Sequence, residues 1–455
     1  MGGGFLQLAA YGVENLYISG NPQTSFFVAV FKRHTNFSIE NCRQYFKGNL
    51  NFGKRVVCEI DRIGDLMNEV FLVVKLPSLE PYFQGNTKYY WTNSIGHALI
   101  KSIEVEIGGK VIDTHSGLWM SIWSSLTTSF DKDFGYGIMI GKSFINNKYF
   151  DHIGEVRLYI PLFFWFCKNI GSALPLVALQ KQEVKFNLNI RNLRELIVSV
   201  TDNYGCGKIN VSDFSNLQIE ELFLYVDYIY LDDEEKKFFA QNQHDYLIEQ
   251  VQMNQNVLYN RGKMNTVNGE VVNCPNESPN DPTTTGCAPI ITEHQIQLDD
   301  FRHPIKEFIW VFQNENVLIP NETGAYGGNE WFNYSVKNRC QTRGIIDETP
   351  EITLKDAVLY IEGKQRMEVR DGKYFKNVVP YQRHSNIPTA QIYAYSFALN
   401  PESLQPTGTC NYSEIDNSHF IFRIDDELVN PFCTIFGTNY NILRIKNGIA
   451  AVAYN

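Results

Sequence analysis

At 455 residues the chain has length for two or three domains, each able to bury its own core. Its 31 Phe and 25 Tyr, with many Val and Ile, favour strands over helices. A formal net charge of −10 without any Lys/Arg block argues against binding of nucleic-acid backbones, which needs a basic stripe.

Residues 1–26 read as an N-terminal arm: consecutive glycines, a short amphipathic piece, then the turn Ser19-Gly20-Asn21-Pro22. The apolar stretch Phe5 to Val13 is short and lies ahead of the first basic residue, Lys32, so no secretory signal is expected. Met1-Gly2 opens like a myristoylation motif, but Leu6 stands where Ser or Thr is required. A first domain is expected over 27–231, with strands at Val70–Leu76, Ile100–Ile107, Val184–Ile190 and Leu222–Tyr230. Apolar and acidic residues alternate through Ile103-Glu104-Val105-Glu106-Ile107, so one face is buried and the other wet. Gly108-Gly109 supplies the positive φ of a tight hairpin turn. Gly135-Tyr136-Gly137-Ile138-Met139-Ile140-Gly141 misses the G-x-G-x-x-G spacing by one residue and reads as a flexible loop. The run Tyr159 to Cys167 contains Pro161 and is far shorter than the roughly twenty residues of a membrane span. Ala173-Leu174-Pro175-Leu176-Val177-Ala178-Leu179 is apolar at consecutive positions, as in a segment covered on both sides.

A linker is expected over 232–242, where Asp232-Asp233-Glu234-Glu235-Lys236-Lys237 could open a short helix with acids at its N-terminus. The second domain follows over 243–455, with strands at Tyr246–Gln252, Phe308–Phe312, Ala357–Ile361, Ile392–Leu399, Phe420–Ile424 and Tyr440–Ile445. Polar loops over 254–292 and 313–350 interrupt it, and loops of that length are functional surface or mobile.

The two halves repeat one pattern. Cys58-Glu59-Ile60-Asp61 followed by Asn68 to Val74 is echoed by Ile296-Gln297-Leu298-Asp299 followed by Lys306 to Phe312; Ile60 with Leu298, Asp61 with Asp299, Glu69 with Glu307 and Val73 with Val311 share an offset of 238 positions. Ile107-Gly108-Gly109-Lys110 returns as Ile361-Glu362-Gly363-Lys364, offset by 254. Two strands and a Gly-Lys turn in one order imply two copies of one β-domain in tandem.

Catalytic patterns are missing. The acidic clusters Asp232 to Glu235, Asp299-Asp300 and Asp425-Asp426-Glu427 sit at apparent strand ends, where acids solvate turns; glycoside hydrolysis needs two carboxylates about 5–10 Å apart across one cleft. No two histidines have His-x-x-x-His spacing, and neither G-x-S-x-G nor a Walker motif occurs. The nine cysteines include no Cys-x-x-Cys, which fits a reducing compartment; Cys274 and Cys287 bracket one loop and are placed to bridge if oxidised. Tyr82, Tyr89, Tyr90 and Trp91 form an aromatic segment of the kind that binds sugars or fills subunit interfaces. Asn-x-Ser/Thr occurs at Asn36, Asn210, Asn276, Asn321, Asn333 and Asn411; Asn276, Asn321 and Asn333 lie in the long loops and are the candidate glycan attachment sites. No catalytic, cofactor-binding or metal-ligating residue is assigned.

Longer blocks carry a family resemblance. Gly3-Gly4-Phe5-Leu6-Gln7-Leu8, Gly20-Asn21-Pro22-Gln23-Thr24-Ser25-Phe26-Phe27 and Arg33-His34-Thr35-Asn36-Phe37 lie near the start. Pro161-Leu162 with Trp165-Phe166, Ala173 to Gln180, and His303-Pro304-Ile305-Lys306-Glu307 with Trp310-Val311 follow. The longest is Tyr393-Ala394-Tyr395-Ser396-Phe397-Ala398-Leu399-Asn400-Pro401-Glu402, continued by Gln405 to Ser413, and Asn439 to Ile445 with Gly448 closes the series. In this order the blocks resemble the major capsid proteins of nucleocytoplasmic large DNA viruses; the long loops follow no such pattern.

The resemblance implies an all-β fold of two tandem eight-stranded antiparallel jelly-roll β-sandwiches with long loops and a few short helices. It implies a non-enzymatic, cofactor-free structural molecule: a homotrimer forming pseudo-hexagonal capsomers that tile the icosahedral capsid of a large double-stranded DNA virus. Its expected partners are itself, minor capsid proteins and, through the arm at 1–26, the inner viral membrane, with no direct nucleic acid. It is expected in the virion, assembled in the host-cell cytoplasm. A minor or vertex capsid component and a carbohydrate-binding β-sandwich are the alternative readings.

Overall fold

The computed structural model describes residues 3–143, 149–201, 214, 216–258, 264–267, 270–273, 293–314, 329–335, 353–424 and 431–454. It divides into two compact units, Met1–Phe37 and Ser38–Asn455. The first carries two short helices, Gly3–Ala9 and Asn15–Ser19, and neither buries a residue. Seven and five residues are too few for a helix to be stable by itself.

The second unit holds two sandwiches. Eight strands build the first: β1 (Phe37–Tyr45), β2 (Arg55–Glu59), β3 (Leu66–Leu76), β4 (Ile100–Ile107), β5 (Lys110–His115), β6 (Val156–Pro161), β7 (Val184–Ile190) and β8 (Glu221–Leu231). They form two four-stranded sheets, β1-β8-β3-β6 and β2-β7-β4-β5. The second sandwich repeats the design with β9 (His244–Val257), β10 (Glu293–Gln297), β11 (Pro304–Gln313), β12 (Leu354–Ile361), β13 (Lys364–Gln365), β14 (Tyr393–Ser396), β15 (Ser418–Ile424) and β16 (Phe432–Lys446). Its sheets run β9-β16-β11-β14 and β10-β15-β12-β13. Counted within each half, both sandwiches therefore have the order 1-8-3-6 over 2-7-4-5, the jelly-roll arrangement. The fold is all-β, two jelly rolls in tandem.

Alternation explains the cores. In β4, Ile103, Val105 and Ile107 are buried while Glu104 and Glu106 are not. Leu72 and Val74 of β3 meet Phe186 and Leu188 of β7 inside the first barrel. Phe308, Trp310 and Phe312 of β11 meet Phe420 and Phe422 of β15 inside the second, where Trp310 stands 5.1 Å from Phe420. The paired turns also coincide. Gly108 and Gly109 have φ of 58° and 84°, and Glu362 and Gly363 have 50° and 70°, so both hairpins use two positive-φ residues. Glu362 tolerates that conformation because its carboxylate Oε1 accepts the amides of Asp416 and Asn417, at 2.7 and 3.1 Å.

Several helices stand between strands. Between β5 and β6 lie α1 (Gly117–Thr127) and α2 (Phe130–Ile140). The latter corrects the flexible-loop reading of Gly135 to Gly141: Asp131 and Asp133 occupy its first turn, and Gly141 ends it at φ 71°. At the junction, α3 (Asp233–Gln241) is capped by Asp232, whose carboxylate accepts the Glu235 amide at 2.9 Å. Between β13 and β14, α4 (Val379–Arg383) follows a π-helical turn at Tyr374–Val378. Ala173–Leu179 is no strand, although most of it is buried; its Leu176–Ala178 stretch is a 3₁₀ turn. Among the described residues no helix is long and apolar enough to cross a membrane.

Candidate functional site: the seam between the two barrels

α1 is the main element joining the barrels. Ser116 caps it, its Oγ accepting the Trp119 amide at 3.1 Å. Gly117 is required there, because a Cβ would lie 2.0 Å from the His97 carbonyl oxygen. Trp119, Ile122, Trp123 and Leu126 form one helical stripe, and all four are buried. They pack on the outer face of the second barrel's β9-β16-β11-β14 sheet, against Ile309, Val311, Ala394 and Phe436. Trp119 stacks on Trp123 and meets Phe436 at a tilt, each 5.3 Å away.

A polar network brackets this apolar contact. Lys306 of β11 donates from Nζ to Glu249 Oε1 at 2.6 Å and to the Pro401 carbonyl at 2.7 Å. Glu249 Oε2 accepts from Lys168 Nζ, from the first barrel, at 2.7 Å. Burial opposes ionisation of Glu249, but the ammonium groups of Lys168 and Lys306 outweigh it and hold its pKa down at about 2. Lys168 also lies 4.2 Å from the Trp123 ring centroid, so it closes both the salt link and the apolar stripe. Nearby, the Val251 amide donates to Asp113 Oδ1 at 3.1 Å and Gln250 Nε2 donates to the Ile112 carbonyl at 2.5 Å. These bonds tie β9 to β5 across the seam.

A second set ties residues 329–335 back to the first barrel. Asn329 Nδ2 donates to the carbonyls of Arg194 and Ile197, both at 2.8 Å, and Trp331 Nε1 donates to the Glu195 carbonyl at 2.7 Å. The Arg191 guanidinium sits 3.6 Å from the Trp331 ring centroid. Beyond α4, Asn386 donates through Nδ2 to the Ser125 carbonyl at 3.0 Å and through its amide to the Leu126 carbonyl at 2.9 Å. His384 is held between Glu307 and Glu402, 3.2 Å from each, with its side chain 0% exposed. Burial disfavours its charge, yet the two carboxylates prevail and raise its pKa to about 9.

The residues singled out by sequence are placed elsewhere. Tyr89, Tyr90 and Trp91 lie on the strand Thr87–Thr92 and are buried, so they are core and not a sugar-binding platform; Tyr82 packs on Phe214 at 5.0 Å. Of the acidic clusters, Asp232 is a helix cap, Asp299 accepts the Ser418 amide and Asp300 accepts from Asn254, while 425–427 lie outside the described residues. Asn333 is 7% exposed and its Nδ2 donates to Glu330 at 2.6 Å. Asn276, Asn321, Cys274 and Cys287 lie outside the described residues. Among those residues no group of three His, Cys, Asp or Glu is placed to hold a metal ion. The Lys168–Glu249–Lys306 link was not readable in advance, since its members are 81 and 57 positions apart.

Comparison with known proteins accounts for this architecture. The family described as "Major capsid protein N-terminus" matches residues 25–232, and "Large eukaryotic DNA virus major capsid protein" matches residues 235–451. The major capsid protein of Pyramimonas orientalis virus is 35% identical and that of Phaeocystis pouchetii virus 33%, each with all of both chains covered. The PBCV-1 capsid protein VP54 is 29% identical with a TM-score of 0.72, covering 95% of this chain and 100% of that one. The Faustovirus major capsid protein shares the fold, with a TM-score of 0.67 at 12% identity, covering 96% of this chain and 94% of that one. These relatives are structural capsid proteins, not enzymes. The chain belongs to the major capsid protein family of large eukaryotic DNA viruses, and is a double jelly-roll component of the virion capsid.

Proposed function

We propose that three copies of the chain form a capsomer, and that such trimers tile the shell as pseudo-hexagons. The observation that carries this reading is the common strand order of the two barrels, 1-8-3-6 over 2-7-4-5. Three subunits with two like barrels each present six similar sides, which suits a hexagonal lattice built from a closed threefold ring. Folding each half into a sandwich also leaves few free sheet edges in a protein that works at high local concentration.

In this reading the first jelly roll spans 27–231, the linker 232–242 and the second jelly roll 243–455. The loops that follow β9 and β11, within 254–292 and 313–350, face the particle exterior, with Asn276 and Asn321 as the glycan acceptors; Asn333, expected as a third, is buried and bonded to Glu330. The arm at 1–26 meets minor capsid proteins or the inner viral membrane, and assembly takes place in the host-cell cytoplasm. Native mass spectrometry of the purified chain tests the trimer: a three-copy species is expected, and a strictly monomeric protein at high concentration overturns it. Copy number in the particle separates a major subunit from a vertex component, because only the former dominates a protein gel.

A further inference from the structure

Both barrels carry a β-bulge at one place and fill it differently. In the second barrel Ile305 pairs with Asn439 and Glu307 with Thr438, so Lys306 of β11 is an extra residue. In the first, Met67 pairs with Tyr228 and Val70 with Val226, so Asn68 and Glu69 of β3 oppose the single residue Asp227 of β8. Asn68 and Glu69 stand 238 positions before Lys306 and Glu307, and Asp227 and Tyr228 stand 211 positions before Thr438 and Asn439. Lys306 therefore answers to Asn68, Glu307 to Glu69 and Thr438 to Asp227.

The second barrel's bulge is electrically complete. Lys306 brings its own ammonium group, Glu307 Oε1 accepts from the Thr438 hydroxyl at 3.3 Å, and His384 Nε2 stands 3.2 Å from Glu307 Oε2. At the first barrel's bulge a neutral amide replaces the ammonium and a second carboxylate replaces the hydroxyl. Asp227 Oδ1 accepts from Asn41 Nδ2, and among the described residues no cationic side chain pairs with Glu69 or Asp227. Asn68, Glu69 and Asp227 line an open cleft of about 220 Å³, walled also by β1 and residues 167–170. Lys168, the cationic residue of that wall, has its Nζ on Glu249 at 2.7 Å. Two surface carboxylates alone would simply be solvated. Asn68 is different: it is only 9% exposed, and its buried Oδ1 accepts no hydrogen bond. A buried acceptor left bare is costly unless something in the cleft binds it.

We propose that this cleft binds a calcium ion, which takes at the first barrel's bulge the place that the Lys306 ammonium holds at the second's. Its protein ligands are the Asn68 amide oxygen and the carboxylates of Glu69 and Asp227, and waters complete the shell. Donors that are all oxygen, two of them anionic, suit a hard cation. Ca²⁺ accepts about six to eight oxygens in a loose geometry, whereas Mg²⁺ demands a near-ideal octahedron that a bulge between two strands does not impose. The ion joins β3 to β8 where the bulge interrupts their pairing. Nothing in this proposal rests on the trimer reading.

The test titrates CaCl₂ into the full chain by isothermal calorimetry and follows the melting temperature beside it. The unaltered chain should bind Ca²⁺ with a Kd on the order of 10⁻⁴–10⁻³ M, the range of weak, partly hydrated sites. Its melting temperature should rise with Ca²⁺, because the ion binds the folded state alone. Two variants import the second barrel's residues. Asn68→Lys supplies the ammonium group within the chain and should abolish binding. Asp227→Thr removes one anionic ligand and should weaken binding at least about tenfold. Neither variant should keep the calcium-dependent rise in melting temperature. An unaltered chain that binds nothing up to about 10 mM Ca²⁺, well above the expected range, overturns the proposal and leaves Asn68 to bond water. Binding that both variants leave unchanged overturns it too, since the ion then sits elsewhere. Near-ultraviolet circular dichroism confirms that each variant is folded. Should Asn68→Lys fail to fold, Glu69→Gln, at an exposed position, replaces it, with at least about a tenfold loss expected.

Discussion

Strands β3 and β11 occupy the same place in their barrels, yet their outward residues meet different fates. In β11 the residues from Ile305 to Phe312 are all buried, inner and outer alike. In β3 the outward Glu69 is exposed and Phe71 and Lys75 are half-buried, while Val73 is buried. Register and strand order are common to both, so neither decides burial. The neighbouring element does: α1 lies over one sheet and no helix of the described chain lies over the other in the same way. Both strands hold five consecutive apolar residues, Val70–Val74 and Phe308–Phe312, so the apolar run by itself does not tell which barrel is covered.

That contrast can be broken most directly at the covered face. Trp119→Ala should cost about 3–5 kcal/mol in urea unfolding, as expected for a buried aromatic whose cavity cannot collapse. Tyr225→Ala, at the open counterpart of Phe436, should cost well under half as much in the isolated chain. Equal losses would mean that the two faces are energetically alike. Glu249→Gln sharpens the same point, because it leaves Lys306 buried opposite a neutral amide. A loss of about 3 kcal/mol is expected by the same measurement, since removing one partner strands the other charge. In the unaltered chain the link weakens in acid: Glu249 has its pKa depressed from 4.5 to about 2, so its contribution is complete above 4.5 and fades as pH falls towards 2.

His384 supplies the opposite limb. Its pKa is raised from 6.5 to about 9, so the stabilisation is complete below 6.5 and is lost as pH climbs through 9. Between those values stability should fall by up to roughly 1.4 kcal/mol per pH unit, and His384→Gln should flatten that slope in melting curves taken from pH 6 to 9.5. An unchanged slope would place the alkaline sensitivity elsewhere.

The sequence carried much of this fold because the barrels obey short-range rules. The period-two alternation of Ile103 to Ile107, the turn at Gly108-Gly109 and the helix start in the acidic run from Asp232 are local, and each was legible where it stands. The offset of 238 was legible too, and β2 with β10 and β3 with β11 begin at positions that keep it. What escaped notice depends on contacts between distant segments. The glycines of α2 suggested a loop, although packing keeps Gly137 and Ile140 buried in a helix. Tyr89 to Trp91 read equally as a sugar-binding segment or as interface filling, because an aromatic run does not reveal which side is covered, and the structure buries them. The seam lies beyond periodicity altogether, since nothing near Glu249 in sequence announces Lys168.

The junction helix α3 has a bearing on how the particle tolerates dilution. Because nine residues of helix tether one barrel to the other, the α1 seam closes as an intramolecular step. Short tethers of this kind act at effective concentrations on the order of millimolar or more. Diluting the protein therefore leaves that joint shut, whatever happens between separate chains, and each newly made subunit reaches its partners with one joint already in place.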